Sequence, residues 1–191
     1  MSLSSGCEAC ILRADRLLKF KVDSEVDWLK PIGGYRMWPF QKKIAGAKAR
    51  EPKPDDWSLC RGERDGLPMI VRLANAYQGL APIPGYDNHV IVSARFRSPS
   101  ASGFPSSEEG DDLEAFEETL CGYLESGNDS LCALVVTNNG LRDFIFYTRD
   151  VSGVQKRLDA AIPKLSGFVF EVAIEPAEDW RIYQTFCGRI S

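Results

Sequence analysis

One histidine, His89, serves a chain of 191 residues. A His-rich metal site is therefore excluded, and no Ser/His/Asp or Cys/His set is compelling, although an Asp-His-Ser arrangement stays open at this point. There is no Gly-rich phosphate loop: Gly33-Gly34 and Gly62 lack the flanking lysine and the helix start that such a loop needs. Cys7-x-x-Cys10 has no second Cys-x-x-Cys and no βα context, so neither a four-cysteine zinc site nor a redox pair at a helix start is assembled. No apolar run approaches the roughly 18 residues of a membrane span. The N-terminus lacks a charged leader followed by an apolar core, so no signal peptide is expected. These absences predict no catalytic residues, no metal and no cofactor.

What is present suits a soluble cytoplasmic protein. Hydrophobic residues make up 44% of the chain, enough for a sizeable core, and the formal net charge is −4. Charges of both signs are spread along the sequence, which gives no general attraction to nucleic acid or anionic membrane. The six cysteines (Cys7, Cys10, Cys60, Cys121, Cys132 and Cys187) are expected as reduced thiols. Cys121 and Cys132 fall in helix and strand patterns, where free cysteine acts as a small apolar residue.

Residues 1–55 read as an N-terminal arm or linker. A weak helical pattern through Leu17, Leu18 and Phe20 gives way to breakers, then to a basic run carrying Lys42, Lys43, Lys48, Arg50 and Lys53 with little apolar company. Met37 is expected to be the natural start. Residues 56–191 read as a single α+β domain. Trp57 to Cys60 and Met69 to Asn75 form strands around the Asp65-Gly66 turn, and residues 76–86 form a loop rich in proline and glycine.

The stretch from Leu131 to Ile162 anchors the architecture: an apolar strand, an Asn139-Gly140 turn, a strand from Arg142 to Arg149, and a helix capped by Asp150 or Ser152. The first of these strands is apolar on both faces, so both should be covered. Upstream, Val90, Val92, Ala94 and Phe96 alternate with His89, Ile91, Ser93, Arg95 and Arg97. Ser106-x-x-Glu109 predicts a capping box, followed by Leu113, Phe116, Leu120 and Leu124 at helical spacing. Phe168, Phe170, Val172 and Ile174 mark a last strand, and Glu178 to Phe186 a short C-terminal helix. The order over residues 87–176 is βαββαβ. It predicts a ferredoxin-like split βαβ antiparallel sheet with both helices on one face and the 87–97 and 142–149 strands in the middle. The N-terminal β-hairpin should extend or cover that sheet. Leu134 and Phe170 are expected in the helix-covered core.

Trp57, Arg64-Asp65-Gly66-Leu67-Pro68, the Glu-rich helix around Leu113-Glu114-Ala115-Phe116-Glu117, Thr137-Asn138-Asn139-Gly140, Phe146-Tyr147 and Asp179-Trp180-x-x-Tyr183 together resemble a bacterial family of unknown function, DUF695, over roughly residues 56–187. Some of its relatives look like the ribonuclease E inhibitor fold, which is also ferredoxin-like. The resemblance implies a regulatory, protein-binding role.

The candidate site is the set Trp57, Tyr147, Trp180 and Tyr183, with Arg142 or Arg149 as a polar anchor. Both tryptophans should meet near one sheet edge, and Trp180 and Tyr183 should share a helix face. The set lines a pocket, or it locks the hairpin and C-terminal helix onto the sheet. Of Phe144/Phe146 and Ile145/Tyr147, one pair should face the helices and the other an open sheet face. An RNA-stacking reading of those aromatics is opposed by the acidic balance and by Glu171 and Glu175 on a neighbouring strand. His89 is expected to bond neighbouring backbone at a strand start, near Asp87. Two functions follow. The first is a non-enzymatic protein-binding or regulatory module. It would present a sheet face, an edge, or the acidic helix of Glu108, Glu109, Asp111, Asp112, Glu114, Glu117 and Glu118, with a homodimer through the open face as one form. The second is a small-molecule binder or enzyme using the Trp/Tyr/Arg cluster.

Overall fold

The computed structural model describes residues 57–187. The expectations for the N-terminal arm, Cys7-x-x-Cys10 and Met37 lie outside the described residues.

Two hairpins are built on the same turn chemistry. β1 (Trp57–Arg64) and β2 (Leu67–Ala74) join through Asp65 and Gly66, at φ 55° and 77°. β4 (Ser130–Asn138) and β5 (Leu141–Thr148) join through Asn139 and Gly140, at φ 49° and 77°. Two consecutive positive φ angles are what a tight right-twisted hairpin requires, and glycine takes the second at no steric cost. With β3 (Asn88–Arg95) and β6 (Val169–Pro176) these strands make one antiparallel sheet in the order β1-β2-β4-β5-β3-β6. The first hairpin extends the sheet by pairing β2 with β4, and it runs longer than the short strands expected.

Helix α1 (Ser107–Leu124) follows β3, and α2 (Val151–Ala161) follows β5. Ser106 caps α1 by accepting from the Glu109 amide at 3.1 Å, and Asp150 caps α2 by accepting from the Gly153 amide at 2.8 Å. The capping box is only half made, because the Glu109 carboxylate turns away to accept from the Arg97 amide. Glu117 also turns inward, onto the Arg72 guanidinium. The acidic face expected on α1 therefore keeps Glu108, Asp111, Asp112, Glu114 and Glu118, while Glu109 and Glu117 are buried.

Both helices cover one side of the sheet. Leu113, Phe116, Leu120, Val154 and Leu158 pack there with Val90, Val92, Phe144 and Phe146. The other side is not left open as expected. Ile91, Leu134, Ile145 and Tyr147 are buried beneath Tyr77, Tyr86 and α3 (Arg181–Cys187). Leu134 belongs to this second core and not to the helix-covered one. A register shift between Cys132 and Leu134 places Leu134 opposite Ile145, which turns it over relative to a regular strand. Phe170 lies on the expected side but only partly buried. Every residue of β4 is buried, as its two apolar faces predict.

Candidate functional site

Three of the candidate residues come together around a residue in an unexpected conformation. Trp180 precedes α3 and holds φ at 48°, a left-handed backbone that a bulky side chain rarely adopts. It is not on the helix, so the shared helix face expected for Trp180 and Tyr183 does not exist. Their rings meet all the same, edge to face at 5.8 Å. The indole lies flat on Tyr147, with centroids 3.8 Å apart and planes 8° off parallel. Tyr77 closes the third side, edge-on to Trp180 at 6.0 Å and to Tyr183 at 6.4 Å. These four rings are almost wholly inaccessible to solvent.

Most of the polar atoms of this cluster are used inside it. Trp180 Nε1 donates to the Tyr86 carbonyl at 2.8 Å, and the Tyr183 hydroxyl donates to the Ala74 carbonyl at 2.7 Å. The Tyr147 oxygen accepts from the Tyr183 amide at 3.2 Å. Tyr86 in turn donates to the Asn128 carbonyl. The Tyr77 hydroxyl alone is buried with no hydrogen-bond partner. Burial pushes the Tyr77, Tyr147 and Tyr183 phenols well above the ordinary tyrosine range. They stay protonated at neutral pH and serve in packing and hydrogen bonding, not as bases.

The other candidates fall elsewhere. Arg149 reaches the rim: its guanidinium sits 5.0 Å over the Tyr86 ring, and its Nε is 3.2 Å from Asp129. Arg142 is at the far end of β5, where its Nε donates to Thr137 Oγ1 at 3.2 Å. Trp57 shares the sheet end with the cluster, since its cross-strand partner Ala74 accepts the Tyr183 hydroxyl. Its ring, however, lies under the Arg72 guanidinium at 5.5 Å. Trp57 also packs, partly buried, against the core cluster that contains Trp180, in addition to this cation–π contact.

Sequence reasoning missed Tyr77 and Tyr86, which sit in a loop read only for its breakers. It also misplaced the bonding of His89. That imidazole is 5% exposed, and neither ring nitrogen has a hydrogen-bond partner. Its Nε2 stands 3.7 Å from Glu175, and its ring meets Tyr147 edge-on at 6.4 Å. Burial lowers its pKa, and Glu175 pulls it part of the way back. A groove lined by Glu118, Thr119, Gly122, Tyr123, Ser126 and Lys164 runs along α1, away from the aromatic cluster. Among the described residues no group of three or more His, Cys, Asp or Glu side chains is arranged to hold a metal. No described helix is long and apolar enough to cross a membrane.

The fold and cluster define an α+β protein with a six-stranded antiparallel sheet and an aromatic closure on the face opposite its two longer helices. The model of a family of unknown function, DUF695, matches residues 55–187, and the chain belongs to that family. Comparison with curated proteins and with solved structures returns no match.

Proposed function

We propose that this chain is a non-enzymatic protein-binding or regulatory module, bacterial and cytoplasmic. Its β3-to-β6 unit would be a ferredoxin-like split βαβ fold akin to ribonuclease E inhibitor-type regulators. The strand order β4-β5-β3-β6, with α1 and α2 on one side, supports that fold reading. The observation that carries the functional reading is the closure of the aromatic cluster. Rings stacked at 3.8 Å, with the Trp180, Tyr147 and Tyr183 polar atoms bonded internally, leave no room among them for a ligand. The function then falls to the outer surface: the acidic side of α1 and the two edges of the sheet.

Crosslinking of the full chain in native lysate, with the crosslinked peptides mapped by mass spectrometry, tests this. The reading expects one surface patch of this chain joined reproducibly to one partner protein. The alternative, a small-molecule binder or enzyme built on Trp57, Arg142, Tyr147, Arg149, Trp180 and Tyr183, expects a copurifying small molecule in native mass spectrometry. Its loss in a folded Tyr183→Phe protein would overturn the module reading.

A further inference from the structure

The two edges of the sheet are unlike. β1 carries exposed Arg61 and Glu63 on either side of Gly62, the charged and irregular composition that keeps an edge from pairing. β6 is guarded less, by the acidic pair Glu171 and Glu175 and a terminal Pro176. It pairs with β3 over all eight residues from Val169 to Pro176 without a register shift. Before Pro176 it contains neither proline nor a basic side chain. Val169 is 72% exposed. Phe170, Val172 and Ile174, on the side of α1 and α2, are only partly buried. Along the free edge, alternate backbone amides and carbonyls point away from β3 with no strand beyond them among the described residues.

The side chains say what kind of strand fits. Glu171 and Glu175 lie on the face opposite the apolar stripe. Glu171 Oε2 is shielded from solvent with no hydrogen-bond partner, so a cation beside it would relieve an unfavourable burial. Glu175 already faces His89. Two copies of β6 pairing edge to edge would gather four carboxylates on one face with no cation among these strands, which opposes a homodimer through this edge.

We propose that β6 takes up an extended segment of a partner protein by strand addition, one in which basic residues alternate with apolar ones. Lysine or arginine meets Glu171 and Glu175, and the apolar side chains continue the Phe170/Val172/Ile174 stripe over the rim of the helix-covered core. This rests on the binding-module reading and names the partner's chemistry.

The probe is a synthetic eight-residue peptide alternating lysine with valine and phenylalanine, with a glutamate-for-lysine counterpart as control. It is titrated into the full chain, with amide exchange followed by mass spectrometry. The expected result is binding of the lysine peptide, slowed exchange confined to residues 169–175, and no binding of the control. Glu171→Lys should weaken binding by at least about tenfold with an unchanged melting temperature, as loss and reversal of one interfacial charge predicts. Binding untouched by Glu171→Lys, or protection appearing on β1, overturns the proposal. So does protection, in the peptide-free protein, of the β6 amides that point away from β3. If that protection grows with concentration, a second copy covers the edge; if it does not, the chain covers its own edge. A native partner crosslinked to another face, with the peptide unbound, rejects the β6 edge and leaves the module reading standing.

Discussion

Removing the Trp180 side chain tests both the aromatic closure and the backbone beneath it. The indole is fully buried, stacked on Tyr147 and edge-on to Tyr77 and Tyr183. Truncating a buried tryptophan to alanine costs about 3–5 kcal/mol in transfer and cavity terms. The Tyr86 carbonyl also loses its donor, which adds about 1 kcal/mol. Trp180→Ala should therefore lower stability by about 4–6 kcal/mol, and the melting temperature by roughly 10–20 °C for a domain of this size. The φ of 48° supplies a second, independent test. Alanine in that region is disfavoured by about 1 kcal/mol, whereas glycine is not. Trp180→Gly should thus be about 1 kcal/mol more stable than Trp180→Ala, the reverse of the order inside a helix. Urea unfolding of the three full-length proteins at one pH measures both differences. A loss below about 1 kcal/mol for Trp180→Ala would refute the closure. An alanine variant more stable than the glycine variant would place residue 180 inside the helix and refute the backbone assignment.

Tyr183→Phe should cost about 1–2 kcal/mol, because the buried Ala74 carbonyl loses the hydroxyl at 2.7 Å; an unshifted urea midpoint would remove that bond from the account. Leu134→Ala should cost about 2–5 kcal/mol as a fully buried truncation in the α3-side core, and Phe170→Ala clearly less, since its ring is partly exposed. Equal losses in thermal melts would contradict the two-core division. His89 makes stability depend on acid. Its folded pKa lies below the ordinary 6.5, so the unfolded chain takes up the proton first. Stability is full above pH 6.5 and falls as pH drops from there to the folded pKa. The groups facing the imidazole are Tyr147 on β5 and Glu175 on β6, with Asp179 beyond; the two carboxylates attract the proton and narrow this window without reversing its sign. His89→Gln should flatten the melting temperature between pH 6.5 and 5, whereas a melting temperature that rises on acidification would mean that Glu175 outweighs burial.

The strands and helices were legible wherever one face differs from the other. His89 to Arg97 alternates, Leu113 to Leu124 recurs at helical spacing, and Asp-Gly and Asn-Gly announce their turns, so those elements lie close to where the sequence puts them. The facing of β4 was not legible, because a strand apolar on both sides gives no pattern by which a register shift could be noticed. The left-handed Trp180 has no local signal either, since the ring packing and the Nε1 bond to Tyr86 that accompany that backbone come from residues far away in sequence. The inward turns of Glu109 and Glu117 depend on Arg97 and Arg72, the latter separated by 45 residues and invisible to any local window. Within the candidate set, chemistry alone grouped six residues; topology joined Tyr147, Trp180 and Tyr183, and placed Arg142 at the other end of its strand.

The bonds from Trp180 and Tyr183 back to Tyr86 and Ala74 span 94 and 109 residues. Ribosomes make the chain from the amino end at about 5–20 residues per second. Val71, Leu73 and Tyr77 therefore wait about 5–20 seconds, and Tyr147 about 2–7 seconds, for the segment that covers them. During that interval the sheet shows the emerging chain's surroundings a broad apolar face, and a product ending before Trp180 would keep it uncovered for good. Synthesis of the segment from Ala177 to Cys187 decides whether that face becomes a finished surface or stays a sticky one.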